Sequence, residues 1–163
     1  ISLEGRVIWL LGLVPIPRTK IFTIKLVTYM AGLATAAEIL MILSNRILEV
    51  TGMMGFITCG AVLLITVTLT SLALGLGAIF PDFSKDNPAR IASGFGGTLT
   101  LALSLIYVIL VIVSLAVPFH LRLSGHSGIG PLIAGGAVTV LLSLGVSAFS
   151  IRRGRRALRE MEF

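Results

Sequence analysis

The stretch Ser2-Leu-Glu-Gly-Arg-Val-Ile-Trp-Leu-Leu-Gly-Leu-Val14, followed by Pro15-Ile-Pro17-Arg18-Thr-Lys20 and a further apolar start to Lys25, sets the direction of all that comes after it. Ser2 can cap a helix, and Glu4 suits the positive end of its first turn. Residues 7–14 are almost wholly apolar and carry the single Trp, Trp9. Such a helix prefers the boundary between water and lipid, with Trp9 at headgroup level and Arg6 turned to the aqueous side. Pro15 and Pro17 end it, because proline donates no backbone hydrogen bond and disfavours helix in the residue before it. The stretch therefore predicts a short interfacial helix, an elbow, and a second helix that enters the membrane.

Composition agrees. Charged residues make up 12% of the chain and hydrophobic residues 56%, with mean hydropathy +1.05. Soluble domains carry about 25% charge, so a soluble fold is excluded in favour of an integral membrane protein. The net charge of +6 does not indicate nucleic acid, because the basic residues sit at the ends of apolar runs, where they orient membrane spans. Cys59 is the lone cysteine, which leaves no disulfide within the chain and no Cys/His cluster for a metal. The first residue is Ile1, and no basic-then-apolar leader follows. The expectation is the C-terminal part of a longer protein, with further spans upstream.

Four runs, at about 21–43, 53–80, 92–117 and 129–150, are long enough to cross roughly 30 Å of hydrocarbon as helices. They lack the charged outer face that a soluble bundle needs. The fold class expected is all-α: a polytopic membrane helical bundle of four transmembrane helices, preceded by the interfacial helix and followed by a basic tail at 151–163. Arg6, Arg18, Lys20, Lys25, Lys85, Arg90, Arg152, Arg153, Arg155, Arg156 and Arg159 fall on one side of this arrangement. Only Arg46 and Arg122 fall on the other. The excess places the elbow, the loop at 81–90, the tail and both observed termini in the cytoplasm.

Two ionisable residues lie in the first run. Lys25 is near its inner end and can snorkel to the headgroups. Glu38 carries a real insertion cost and has two open readings. It is either a carboxyl that reaches the outer interface or a neighbouring helix, or a polar residue lining a transport path. In the second run Thr66, Thr68, Thr70 and Ser71 can bond to their own helix carbonyls, and small residues such as Ser71 and Gly75 let helices approach closely. Tyr107, mid-way along the third run, reads as a packed tyrosine with a hydrogen-bond partner. His120, Arg122 and His126 are too sparse for a metal site. Asp82, Lys85, Asp86, Asn87, Pro88 and Arg90 form the most polar internal loop. In it Pro81 stops one span and Pro88 can open the next.

No G-x-x-x-x-G-K-[ST], G-x-S-x-G or H-E-x-x-H motif occurs, so neither a phosphate loop nor a catalytic centre of those kinds is visible. The reading at this level is that the chain is not an enzyme.

Two cytoplasmic stretches carry a resemblance. The first combines Glu4, Gly5, the apolar run to Val14, Pro15, and Lys25 ten residues after the proline. It resembles the type-2 permease pattern of ATP-binding cassette (ABC) exporters, although Gly5 follows Glu4 directly and Arg6 stands where many members have Thr. The second is Phe80-Pro-Asp-Phe with Asn87-Pro-Ala-Arg-Ile-Ala-Ser-Gly-Phe-Gly-Gly97. Together with Leu3-Glu-Gly-Arg, Trp9-Leu-Leu and Pro15-Ile, it is similar to a narrower group of bacterial exporter permeases.

The resemblance implies a permease subunit of the bacterial inner membrane. Its helix around Glu4, Gly5, Arg6, Trp9 and Pro15 would be a coupling helix that receives the stroke of a separate cytoplasmic ABC ATPase. The implied partners are that ATPase, a second permease copy or half, and membrane lipids. No cofactor is implied for the chain itself, ATP being used by the partner. The alternative is a non-transporting membrane scaffold or assembly protein that docks a cytoplasmic partner through the same helix.

Overall fold

The computed structural model describes residues 18–50, 52–80, 93–123 and 130–160. These form four helices and, among the described residues, no strand: α1 (Arg18–Ile47), α2 (Met53–Ile79), α3 (Phe95–Leu123) and α4 (Gly130–Glu160). The all-α reading holds. Within these helices the segments Lys20–Ile47, Met53–Ile79, Phe95–Pro118 and Gly130–Leu158 are each long and apolar enough to cross a membrane. The chain is a multi-pass membrane protein. At 1.5 Å per residue the shortest of the four helices, α2, is about 40 Å long, longer than the hydrocarbon core, so the helix ends reach the headgroup layers.

The helices exceed the apolar runs at several ends. α1 begins at Arg18, directly after Pro17, and runs four residues beyond 43. α4 continues through the arginine-rich segment to Glu160, so most of the expected tail is helix. α3 passes through Pro118 to Leu123, where a stop was expected after 117. Proline removes the hydrogen bond that the Ser114 carbonyl would accept. That carbonyl and the Pro118 ring instead face Gly135 on α4, in space that a side chain at 135 would fill. Neighbouring helices commonly absorb proline in this way within membranes.

α2 and α4 form the centre. They pack against each other most extensively, and each also contacts α1 and α3. Their crossing is close because both present small residues at four-residue spacing, Ser71 and Gly75 on α2 and Ser150 and Gly154 on α4. A Cβ on Gly75 would lie 2.5 Å from the Ser150 carbonyl oxygen. Phe22 and Leu26 of α1, Ala78 of α2 and Leu158 of α4 make a buried apolar cluster beside this crossing, with Met30, Leu74 and Ile151 against it. Phe80 meets Phe95 edge-on at 5.4 Å, closing the same end of the bundle. The outer faces of α1 and α3 stay apolar and uncovered, as at Leu40, Leu101 and Leu105, which suits lipid rather than water.

A ladder of hydroxyls runs between α2, α3 and α4. Thr68, Thr70 and Ser71 donate back to the carbonyls of Leu64, Thr66 and Val67 at 2.7–2.8 Å, as their spacing predicts. Ser143 and Thr139 do the same on α4, to Thr139 and Gly135. Across helices, Tyr107 and Ser143 share a hydrogen bond of 2.8 Å and Ser114 and Thr139 one of 2.7 Å. Ser147 donates to Thr68 at 3.3 Å. The expectation of a partnered Tyr107 is therefore met. Such bonds in membranes average about 0.6 kcal/mol each, so the ladder sets register more than it supplies stability.

Candidate functional site

The coupling candidates Glu4, Gly5, Arg6, Trp9 and Pro15, and the loop candidates Asp82, Lys85, Asp86, Asn87, Pro88 and Arg90, lie outside the described residues. Two candidates remain on α1. Lys25 is half-buried, between Phe22 and Leu26 in sequence, at the end where α2 and α4 finish. Glu38 lies 13 residues on, about 20 Å along the helix, toward the opposite end. The structure does not bring the two together.

Glu38 is nine residues from the end of α1, about 13 Å below it. That is deeper than the apolar run alone suggests, because α1 extends to Ile47. Glu38 lines an open groove of about 990 Å³ with Ile42, Asn45, Arg46, Glu49, Val50, Gly52, Gly55, Phe56 and Cys59. The groove is built by the α1–α2 hairpin. Glu38, Ile42, Asn45 and Glu49 recur at four, seven and eleven residues, which puts them on one face of α1 and its continuation. Gly55, Phe56 and Cys59 come from the first turns of α2.

The hairpin turn is held by its backbone. Val50 N–H donates to the Asn45 carbonyl at 2.9 Å and Glu49 N–H to the Arg46 carbonyl at 3.3 Å. This pair of bonds is the Schellman closure of a helix C-terminus. The position after the cap must then be left-handed, which usually selects glycine. Here it is Glu49, at φ 54°, and its side chain stands at the rim of the groove.

Side chains close the same corner. Buried Asn45 donates through Nδ2 to Thr58 Oγ1 at 2.9 Å and lies 3.7 Å from Cys59 Sγ. The Thr58 hydroxyl in turn lies 2.9 Å from the Gly55 carbonyl it donates to. The Glu38 carboxylate is within electrostatic and hydrogen-bonding reach of the Cys59 thiol, a weak donor. Its Oε1 is shielded from solvent and has no hydrogen-bond partner. Among the described residues no three His, Cys, Asp or Glu side chains gather in a way that could hold a metal ion.

Sequence reasoning singled out Glu38 but missed Asn45, Glu49, Thr58 and Cys59 as its neighbours. The spacing of Glu38, Asn45 and Glu49 on one helical face was the available signal. The approach of Thr58 and Cys59 depends on how tightly the hairpin turns, which no local pattern gives.

The fold and groove define a class: a helical multi-pass membrane protein with a polar recess between its first two spans. The chain belongs to the family described as "Putative ATP-binding cassette", whose model matches residues 1–163. No curated protein and no solved structure matches it.

The family match overturns the reading that the chain is not an enzyme, since an ATP-binding cassette family points to proteins that bind and hydrolyse ATP. The error lay in the inference from motifs. The missing phosphate loop excludes one way of holding nucleotide in these residues, and excludes no activity.

Proposed function

We propose that the chain is the permease subunit of an ABC-type exporter, in which ATP hydrolysis by a cytoplasmic ATPase subunit moves a substrate across the bacterial inner membrane. The observation that carries this reading is a match to an ATP-binding cassette family along the whole chain, made by a chain whose described residues include four helices long and apolar enough to cross a membrane. Basic residues concentrate at the end of the bundle where α1 begins and α4 ends: Lys20 and Lys25, then Arg152, Arg153, Arg155 and Arg156. That supports a cytoplasmic location for this end and for both observed termini.

In this reading the segment of Glu4, Gly5, Arg6, Trp9 and Pro15, which lies outside the described residues, receives the stroke and passes it through Pro15 and Pro17 to α1, near whose start Lys25 lies. At that end α1 is fastened to the central pair by Phe22 against Gly154, where a Cβ on Gly154 would lie 3.3 Å from the Phe22 ring. Arg155 adds a bond from Nη2 to Thr23 Oγ1 at 3.4 Å. A tilt of α1 is thus shared with α4 as a rigid-body movement. The segment of Asp82, Lys85, Asp86, Asn87, Pro88 and Arg90, also outside the described residues, is the second contact to the ATPase in this reading, and a second permease copy or half completes the path.

The test is co-purification of the full-length protein from its native membrane. An ATPase subunit retained in stoichiometric amount, with hydrolysis uncoupled from transport by Glu4→Ala plus Arg6→Ala, is the expected result. A protein that carries no ATPase, or transport unchanged by that double variant, counts against the proposal.

A further inference from the structure

We propose that the groove of the α1–α2 hairpin binds the ammonium group of a cationic amphiphile, with the Glu38 carboxylate as its counter-ion; the step from bound ligand to exported substrate rests on the exporter reading above. The starting point is Glu38 Oε1, which is screened from solvent and lacks a partner. A carboxylate can only accept hydrogen bonds, and leaving one of its oxygens unsatisfied in a water-poor region is costly; the Cys59 thiol that reaches the group is only a weak donor. Among the described residues, the nearby amide and hydroxyl donors are turned elsewhere. Asn45 Nδ2 is turned to Thr58 and Cys59, and Thr58 to Gly55. Arg46 lines the same groove, yet Oε1 remains without a partner.

Charge selects the sign of the ligand. Glu38 and Glu49 outnumber Arg46 among the lining residues, so the recess carries one excess negative charge and repels an anionic headgroup. Chemistry selects an organic cation over a metal ion. A metal needs several ligating side chains, and among the described residues no such group exists. An ammonium needs one carboxylate and tolerates apolar walls.

Those walls are present. Ile42, Val50 and Phe56 line the groove beside the polar residues. Phe56 is 84% exposed, so its ring face is open to a cation. A volume of about 990 Å³ is enough for a headgroup and the first part of a chain. Since the groove is open and the outer face of α1 is apolar, the tail of such a ligand can lie along the lipid-facing side while its amine reaches Glu38. Glu49, held in a glycine-type conformation at the rim, adds a second negative charge on the approach.

The site can be read through Cys59, which lines the groove and is partly accessible. The full-length protein, in its native complex, is placed in nanodiscs of zwitterionic lipid. Maleimide alkylation of the Cys59 peptide is followed by mass spectrometry with dodecylammonium, dodecyl sulfate or dodecanol added. The expected result is that only dodecylammonium slows alkylation, and that Glu38→Gln needs about tenfold more of it for equal protection, the worth of one charge-assisted hydrogen bond. Equal protection by all three amphiphiles, or protection in Glu38→Gln equal to wild type, overturns the proposal. The three-probe comparison needs no variant, so a misfolded Glu38→Gln leaves it decisive.

Alkylation requires no ATP, whereas amphiphile-stimulated ATP hydrolysis in the same nanodiscs reads the exporter function. Selective protection without stimulation keeps the ammonium site and removes the exporter reading. Hydrolysis coupled to transport, without selective Cys59 protection, removes the ammonium site alone.

Discussion

Gly154 of α4 lies directly on Gly75 of α2: a Cβ built at 154 would be 3.0 Å from the Gly75 Cα and 3.3 Å from its carbonyl oxygen. Two backbones meet there with no side chain between them, and Phe22 of α1 closes over the contact. In lipid, where apolar surface alone does not hold helices together, such close packing is a principal source of association. The three helices that meet here are α1, α2 and α4.

Substitution at this crossing should be costly in a way that helix propensity cannot explain. Gly75→Ala puts a methyl 2.5 Å from the Ser150 carbonyl oxygen, whereas Gly77→Ala on the same helix enters open space. Overpacking costs about 1–3 kcal/mol, while alanine in place of an unconstrained helical glycine gains up to about 1 kcal/mol. Gly75→Ala should lower the thermal midpoint in detergent and Gly77→Ala should hold or raise it. Equal midpoints for the two variants would mean that α2 and α4 do not meet at this register.

The same logic applies to the proline-containing helix. Gly135→Ala would overlap the Ser114 carbonyl and the Pro118 ring, and Gly136→Ala would touch nothing within 4 Å. The pair should separate by about 1–3 kcal/mol, read as a difference in midpoint. A Gly135→Ala protein as stable as Gly136→Ala would place Pro118 away from α4.

Much of this architecture is legible in the amino-acid sequence. The four apolar runs are, because length and hydropathy need no partner to be read. Tyr107 is as well, since a hydroxyl in mid-membrane must find an acceptor, and it finds Ser143. Other features depend on which faces meet. Pro118 looks like a stop and becomes an interior residue because Gly135 of another helix makes room for it. Thr139, Ser143, Ser147 and Ser150 recur every three or four residues on α4, but nothing local tells whether that stripe faces lipid, a second copy or α2. The groove is half-legible: Glu38 stands out by its charge, while Cys59 and Thr58 join it only through a turn whose closure depends on Glu49 being left-handed.

Tyr107 and Ser143 offer a direct measure of the ladder. Ser143 keeps its bond to the Thr139 carbonyl when Tyr107 is changed to Phe, so the loss is confined to one hydrogen bond. A double-mutant cycle of Tyr107→Phe and Ser143→Ala should give a coupling of about 0.6 kcal/mol, and not above about 1.7. Strict additivity of the two stability changes would show that the hydroxyls do not meet.

Glu49 should respond to backbone chemistry more than to charge. A left-handed conformation costs an L-residue roughly 1–2 kcal/mol, which glycine does not incur. Glu49→Gly should therefore be neutral or stabilising in a melt, despite glycine's greater freedom when unfolded. Glu49→Val, β-branched at positive φ, should be clearly destabilising. A protein that tolerates valine as well as glycine would have a different turn between α1 and α2.

Glu38 separates stability from function most sharply. A carboxylate oxygen without a partner, Oε1, about 13 Å inside the end of α1, is a burden on the folded protein that a purely structural residue would not impose. Replacing it with Leu removes the unpaired group and adds apolar surface against Ile42 and Cys59. Glu38→Leu should raise the thermal midpoint, by an amount equivalent to roughly 1–2 kcal/mol, while lowering substrate-stimulated ATP hydrolysis in the assembled complex. Glu38→Gln, which keeps shape but not charge, should fall between the two in stability and match Leu in lost stimulation. The paired direction is what matters, because a carboxylate retained against its own energetic interest must be held for an interaction made outside the isolated fold. A variant less stable than wild type would mean that Glu38 is already satisfied within the bundle, and the groove would then be packing space with no ligand to await.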